Sequence, residues 1–174
     1  MVKRMHPLFH PLFLQFILYF NEQQDYFECH EVLEEYWKSV SPNDKSHALT
    51  AWILLSTGMY HWRRNNRAGA KRSLENAQKR FSLDLYSEYY SGIDMAEMHL
   101  NLENSIALIN QSKEFKPFTL SILSDELNQR IQKQQMPLAL IGEELIHKHM
   151  RRDRSEILKA REEKKKGCSK SHEK

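Results

Sequence analysis

Asp25-Tyr26-Phe27-Glu28-Cys29-His30-Glu31-Val32-Leu33-Glu34-Glu35-Tyr36-Trp37-Lys38 reads as one amphipathic helix, running from about Asp25 to Ser39. Take His30 as zero and advance about 100° per residue: Glu34 falls at about +40°, Phe27 at about +60°, Trp37 at about −20°, Tyr26 at about −40° and Leu33 at about −60°. The opposite arc carries Glu28 and Glu35, with Glu31 and Lys38 near the edge of the stripe. An imidazole and a carboxylate one turn apart therefore belong to the apolar face, bracketed by Phe27 and Trp37.

Working outward from this helix, the pattern stays helical. On the N-terminal side, Lys3 and Arg4 followed by Leu12, Phe13, Leu14, Phe16, Ile17 and Leu18 imitate a secretory signal. Pro7 and Pro11 precede the run, Gln15 interrupts it, and Asn21, Glu22, Gln23 and Gln24 stand where small residues would mark cleavage. It also falls short of the ~20 apolar residues of a membrane span. Phe9, Leu12, Phe13, Phe16, Ile17 and Phe20 repeat at helical spacing, which predicts a core helix in a cytoplasmic protein with no membrane partner.

On the C-terminal side, Ser41, Pro42 and Asp44 have the form of a capping box with proline at the first helical position. This predicts a third helix from about Pro42 to Arg64, apolar around much of its circumference and central to the bundle. Asn65 and Asn66 break the pattern, and a fourth helix continues to about Phe81; so short a connection favours antiparallel neighbours. Ser82 to Ile93 is an aromatic connection. Asp94 and Glu97 form another capping box, with an Ile93–Met98 staple, for a fifth helix ending near Asn110. Pro117 to Leu123 reads as extended with weak strand character, and Ser124-Asp125-Glu126 opens a C-terminal helical region interrupted near Pro137.

The expected architecture is thus all-α, a bundle of about five helices with a C-terminal helical extension. The boundaries are 1–123 for the bundle, 124–163 for the extension and 164–174 for a disordered basic tail. A chain of 174 residues with five Gly and five Pro suits one domain with its own core and excludes turn-rich, many-stranded or low-complexity architectures. Two cysteines supply neither a disulfide framework nor a structural zinc cluster, and fit a reducing compartment. The net charge of +3 is too small to imply a nucleic-acid or membrane partner, although Lys148 to Lys174 holds 11 Lys or Arg against 5 Asp or Glu.

A buried polar group without a partner costs roughly 1–3 kcal/mol, and an ionised carboxylate more. His30 and Glu34 on an apolar stripe therefore need partners. Two solutions are open: a satisfied polar network with a neighbouring helix, or one divalent metal ion, since i and i+4 side chains project to one point and imidazole plus carboxylate is a common ligand pair. A metal needs a third ligand. His61 is the expected one, on a face of the third helix shared with His47, Leu54, Gly58 and Asn65, where Gly58 would permit close helix approach. Glu31 and Asp25 are secondary options. Phe27, Trp37, Asn65 and Arg67 are the expected lining, and Arg67 could instead fork onto Glu34 as a salt bridge. Glu34 stands where a zincin motif would require its second histidine, so that motif is excluded.

The His30-Glu31-Val32-Leu33-Glu34-Glu35-Tyr36-Trp37 run resembles the H-x-x-x-E-x-x-[W/Y] signature of the domain-of-unknown-function 309 family. Phe20-Asn21 and Asp25-Tyr26-Phe27-Glu28 resemble its lead-in, and Tyr60-His61-Trp62-Arg63-Arg64-Asn65-Asn66-Arg67-Ala68-Gly69-Ala70 is similar to its second conserved stretch. The resemblance spans roughly residues 17–110 and departs at Ala51-Trp52-Ile53, where a glutamine commonly stands. It implies a small all-helical prokaryotic domain with metal binding at the signature, and carries no reaction over.

Other features have plainer readings. Arg63, Arg64, Arg67, Lys71, Arg72, Lys79 and Arg80 crowd 18 residues against a single Glu75. No nucleic-acid motif accompanies them, so a solvated face is expected instead of an RNA interface. Cys29 is turned about 100° from His30 and makes no Cys–His nucleophile. The competing functional class is an interaction module whose His/Glu pair fixes helix register while the basic strip contacts an acidic partner or RNA; homo-oligomerisation stays open.

Overall fold

A computed structural model of the chain describes residues 4–135 and 142–147. A 3-10 turn, Pro7–Phe9, leads into α1 (Pro11–Leu18), which widens into a π-helical turn at Tyr19–Gln23. There follow α2 (Tyr26–Val40), α3 (Leu49–Arg63), α4 (Arg67–Phe81), α5 (Met95–Asn110), α6 (Asp125–Lys133) and the short α7 (Glu143–Ile146). Among the described residues the fold is all-α. The expected break near Pro137 and the basic tail lie outside the described residues.

Local chemistry sets most of these boundaries. The π turn closes on Gln24, whose φ of 52° is left-handed, and Asp25 then caps α2 by accepting the Glu28 N–H at 3.1 Å. Asn66 caps α4 through the Gly69 N–H at 3.0 Å, and Asp94 caps α5 through the Glu97 N–H at 3.0 Å. Three starts use histidine: the Nδ1 atoms of His6, His10 and His47 accept the N–H of Leu8, Leu12 and Leu49 at 3.3, 3.2 and 3.2 Å.

The third helix begins at Leu49, seven residues later than expected at Pro42. The would-be capping acid is diverted: Asp44 accepts the backbone N–H and the hydroxyl of Ser46, while its carbonyl accepts the Trp37 indole N–H at 2.9 Å. Asn43 adopts a φ of 71°, which ends any helix there. Short polar side chains bonding nearby backbone compete with the helical ladder, and in this turn they win.

The core is aromatic and centred on Trp52 of α3. Its ring meets Phe16 of α1 at 5.6 Å, Phe81 of α4 at 4.8 Å and Tyr90 at 5.8 Å between centroids, all fully or nearly fully buried. The Trp52 indole N–H donates to the Tyr89 carbonyl and the Tyr90 hydroxyl to the Ala48 carbonyl, which ties the Ser82–Ile93 connection over the bundle end. Between α3 and α4 the backbones come close at Gly58, where a Cβ would sit 2.4 Å from Leu74 Cδ2.

The expected extended segment is present and makes one antiparallel bridge, Ile93 to Ile122. Asn21 pins it, donating to the Leu120 carbonyl at 2.9 Å and accepting the Leu120 N–H at 2.8 Å. From there α6 returns against α1, burying Leu127 completely and laying the Arg130 guanidinium 4.1 Å over the Phe9 ring.

Candidate metal centre

The α2 stripe buries Tyr26, Cys29, Val32, Leu33 and Tyr36. His30 and Glu34 flank that stripe and are half-buried, with 34% and 33% of their side chains exposed. The burial expected from the helical wheel is therefore only partial: both stand at the rim, where water reaches their tips. His30 Nδ1 lies 3.3 Å from Glu31 Oε1 and 3.9 Å from Glu34 Oε2. One ligand atom from each of His30, Glu31 and Glu34 can be chosen so that all three lie within 4.8 Å of one another. The other oxygen of Glu34, Oε1, is 2.8 Å from Lys38 Nζ. Beside the cluster runs a groove of about 390 Å³ lined by Glu28, Glu31, Val32, Glu34, Glu35 and Lys38.

Glu31, and not the expected His61, stands beside His30 and Glu34. Periodicity positions the Cβ of Glu31 at the stripe's edge, but the side chain is long enough to fold back on its neighbour's ring. In the sequence it stands as a secondary option, at the edge of the stripe and adjacent to His30. Lys38 was legible as the i+4 partner of Glu34, a spacing that favours a Glu-to-Lys pair.

His61 goes elsewhere because its face of α3 does. Gly58, one turn before it, packs against Leu74 of α4 and not against α2. At the α3–α4 corner His61 Nδ1 meets Asn66 Nδ2 at 3.2 Å, and burial, Arg64 and Arg72 together hold its pKa below the ordinary value. The expected lining is likewise dispersed. Phe27 faces Tyr60 with ring centroids 5.8 Å apart, Trp37 closes the α2–α3 turn, and Asn65 occupies a left-handed turn position at a φ of 60°. Arg67 donates to the Ser112 carbonyl at 3.1 Å, so the salt bridge to Glu34 is not formed. Asp25, the remaining option, is buried as the α2 cap.

The basic strip is also partly consumed. Arg63 turns inward, donating to the Gln24 carbonyl with its guanidinium 4.8 Å over the Tyr26 ring, and Arg64 lies 5.3 Å over Tyr60. Beneath Arg63, Cys29 is fully buried, and desolvation pushes its thiol pKa well up; it is an inert core residue.

An all-α bundle presenting one imidazole and two carboxylates from positions 30, 31 and 34 of its second helix is the class that the fold and this cluster define. The model of the family described as domain of unknown function (DUF309) matches residues 13–73, a span from α1 into α4 that includes all three cluster residues. The uncharacterized protein YpuF of Bacillus subtilis (strain 168) is 31% identical over 158 residues, covering 86% of this chain and 91% of that protein. The chain belongs to the DUF309 family. No solved structure matches it. Among the described residues, no helix is long and apolar enough to cross a membrane.

Proposed function

We propose that the protein binds one divalent transition-metal ion through His30, Glu31 and Glu34. The observation that carries this reading is the convergence of one nitrogen and two carboxylate oxygens within 4.8 Å. Two donors on one ion at ~2.1 Å are separated by at most ~4.2 Å, so small rotations about the side-chain torsions close the set. A mixed nitrogen and oxygen donor set suits zinc and its first-row neighbours better than calcium or magnesium, which prefer oxygen alone. Neutral imidazole and two carboxylates balance a dication's charge. Three protein ligands on an open groove leave coordination positions to solvent, and an ion so held would supply Lewis acidity and a water activated towards neutral pH.

The test is metal analysis of protein purified without a nickel column, then calorimetric titration of chelator-stripped protein with zinc and with manganese. One equivalent bound in the wild type, lost in Glu31→Gln and Glu34→Gln and retained in His61→Ala, is the expected outcome. Absence of saturable binding refutes it, as does binding that follows His61 instead of Glu31.

A further inference from the structure

The Pro7–Phe9 turn and α1 are capped by the imidazole nitrogens of His6 and His10 in place of the usual hydroxyl or carboxylate oxygens, and His47 Nδ1 accepts the Leu49 N–H beside Ala48, the cap residue of α3. An imidazole accepts at Nδ1 only while that nitrogen keeps its lone pair. At His6 the proton inventory is fixed by its surroundings. The Ser91 hydroxyl donates to the Glu88 carbonyl at 2.9 Å, so at 3.1 Å from His6 Nε2 its oxygen must accept the Nε2–H. The proton is then on Nε2 and Nδ1 is free to take the Leu8 N–H.

Two of the rings meet one segment directly, and the third reaches it through Tyr36. His6 holds Ser91 directly, and the His47 ring stands edge-on to Tyr89 at 4.8 Å. His10 stacks on Tyr36 at 4.0 Å and 12°, and Tyr36 in turn meets Tyr89 at 6.0 Å. We propose that these imidazoles form an acid-sensitive latch: on acidification, protonation of His10 and His47 breaks their bonds at the starts of α1 and α3 and loosens the Tyr89–Ser91 segment. Each imidazolium loses its acceptor and places a cation against a helix N-terminus, the end where positive charge is least favoured.

The surrounding charges do not cancel this. Glu35 on α2 favours the charged form of His10 and Asp44 that of His47, but burial opposes both and is the larger effect in each case. Around His6 the groove carries both signs, Arg4 and Arg130 against Glu88 and Glu126. Two anchors do not titrate in this range: the Trp52 indole on the Tyr89 carbonyl and the Tyr90 hydroxyl on the Ala48 carbonyl. The latch therefore loosens the connection without ejecting the Tyr90 plug.

Hydrogen exchange of the full chain at pH 7.5 and pH 5.0, with intrinsic rates corrected, reads the latch. Protection at the starts of α1 and α3 and across residues 87–91 is expected to fall by roughly fivefold for each cap lost, while α4 is unchanged. In the triple variant His6→Asn, His10→Asn, His47→Asn, the amide oxygen sits where Nδ1 sat and does not titrate, so the pH effect is expected to vanish. An unchanged wild type, or the same change in the triple variant, overturns the proposal. Should that variant not fold, proton NMR of the wild type decides: the His10 and His47 ring titrations must coincide with shifts of the Leu12 and Leu49 amides, and titrations that leave those amides still overturn it equally.

Discussion

Replacing Gly58 with alanine tests the tightest helix contact in the molecule, and the sign of the effect is not obvious in advance. Glycine inside a helix costs about 1 kcal/mol relative to alanine, so on an exposed face the substitution would stabilise by that amount. Here the added Cβ would sit 2.4 Å from Leu74 Cδ2, 2.6 Å from its Cγ and 3.2 Å from its backbone nitrogen. Non-bonded carbons settle at ~3.5–4.0 Å, so Leu74 must rotate or α3 and α4 must part by about 1 Å. Leu74 is fully buried and has nowhere to turn. Overpacking of this kind costs about 1–3 kcal/mol, at the upper end when backbone is also close. The net expectation is a loss of about 1–2 kcal/mol. Leu74→Ala alone should cost about 3 kcal/mol through its cavity. In the double variant the new methyl enters vacated space, so Gly58→Ala becomes favourable by up to about 1 kcal/mol and the coupling equals the clash, about 2–3 kcal/mol. Urea midpoints at unchanged slope measure all four corners of the cycle. A Gly58→Ala protein as stable as wild type, or a cycle additive within ~0.5 kcal/mol, would show that the close approach is not real.

Three further outcomes follow from other contacts. Asn21→Ala removes both bonds that hold Leu120 and should cost about 1–3 kcal/mol while opening the 117–123 segment; faster limited proteolysis there, with cleavage elsewhere unchanged, is the readout. Cys29 should resist iodoacetamide at pH 8 in folded protein and react on unfolding, checked by mass spectrometry of its peptide; labelling in the native state contradicts its complete burial. Lys38→Gln removes the ammonium 2.8 Å from Glu34 and should tighten cation binding several-fold at low salt, an advantage that shrinks as salt rises; weaker binding would mean that Lys38 orients the carboxylate and does not compete for it.

Acid stability has a direction set by His10 and His47. Burial lowers both pKa values in the folded state, so between the ordinary value of about 6.5 and the lowered one the unfolded chain binds more protons. Stability is fully present above that window and falls as the pH drops through it. The histidine-to-asparagine variants should flatten this slope.

What was legible in the sequence is what depends on one element at a time. The span of α2, its Asp25 start, the α3–α4 hairpin and the Asp94 cap of α5 all follow from periodicity and local hydrogen-bonding chemistry, and the structure has them, although the buried face of α2 is turned towards Cys29 and Tyr36 and leaves His30 and Glu34 at the rim. The start of α3 was misread because Ser41, Pro42 and Asp44 satisfy a capping pattern that a longer-range bond overrides: the Trp37 indole takes the Asp44 carbonyl, and the carboxylate goes to Ser46. His61 stands apart from the cluster for a different reason. A helical wheel says which residues share a face and is silent on which helix that face meets. Gly58 promised close approach of a neighbour; the neighbour is α4.

That same distinction explains why the proposed centre survives the error. His30, Glu31 and Glu34 all come from little more than one turn of α2, so their convergence requires only that α2 be helical and that its rim be left uncovered. The bundle supplies the second condition by burying Leu33 and Tyr36 on the adjacent face, which fixes the rotation of α2 and holds the cluster at the surface. A third ligand from another helix would have closed the site and tied its geometry to the packing of α3. With all three candidate groups on one helix, their geometry is short-range and their tips face solvent, so an ion held there would draw any fourth ligand from water or from whatever enters the groove.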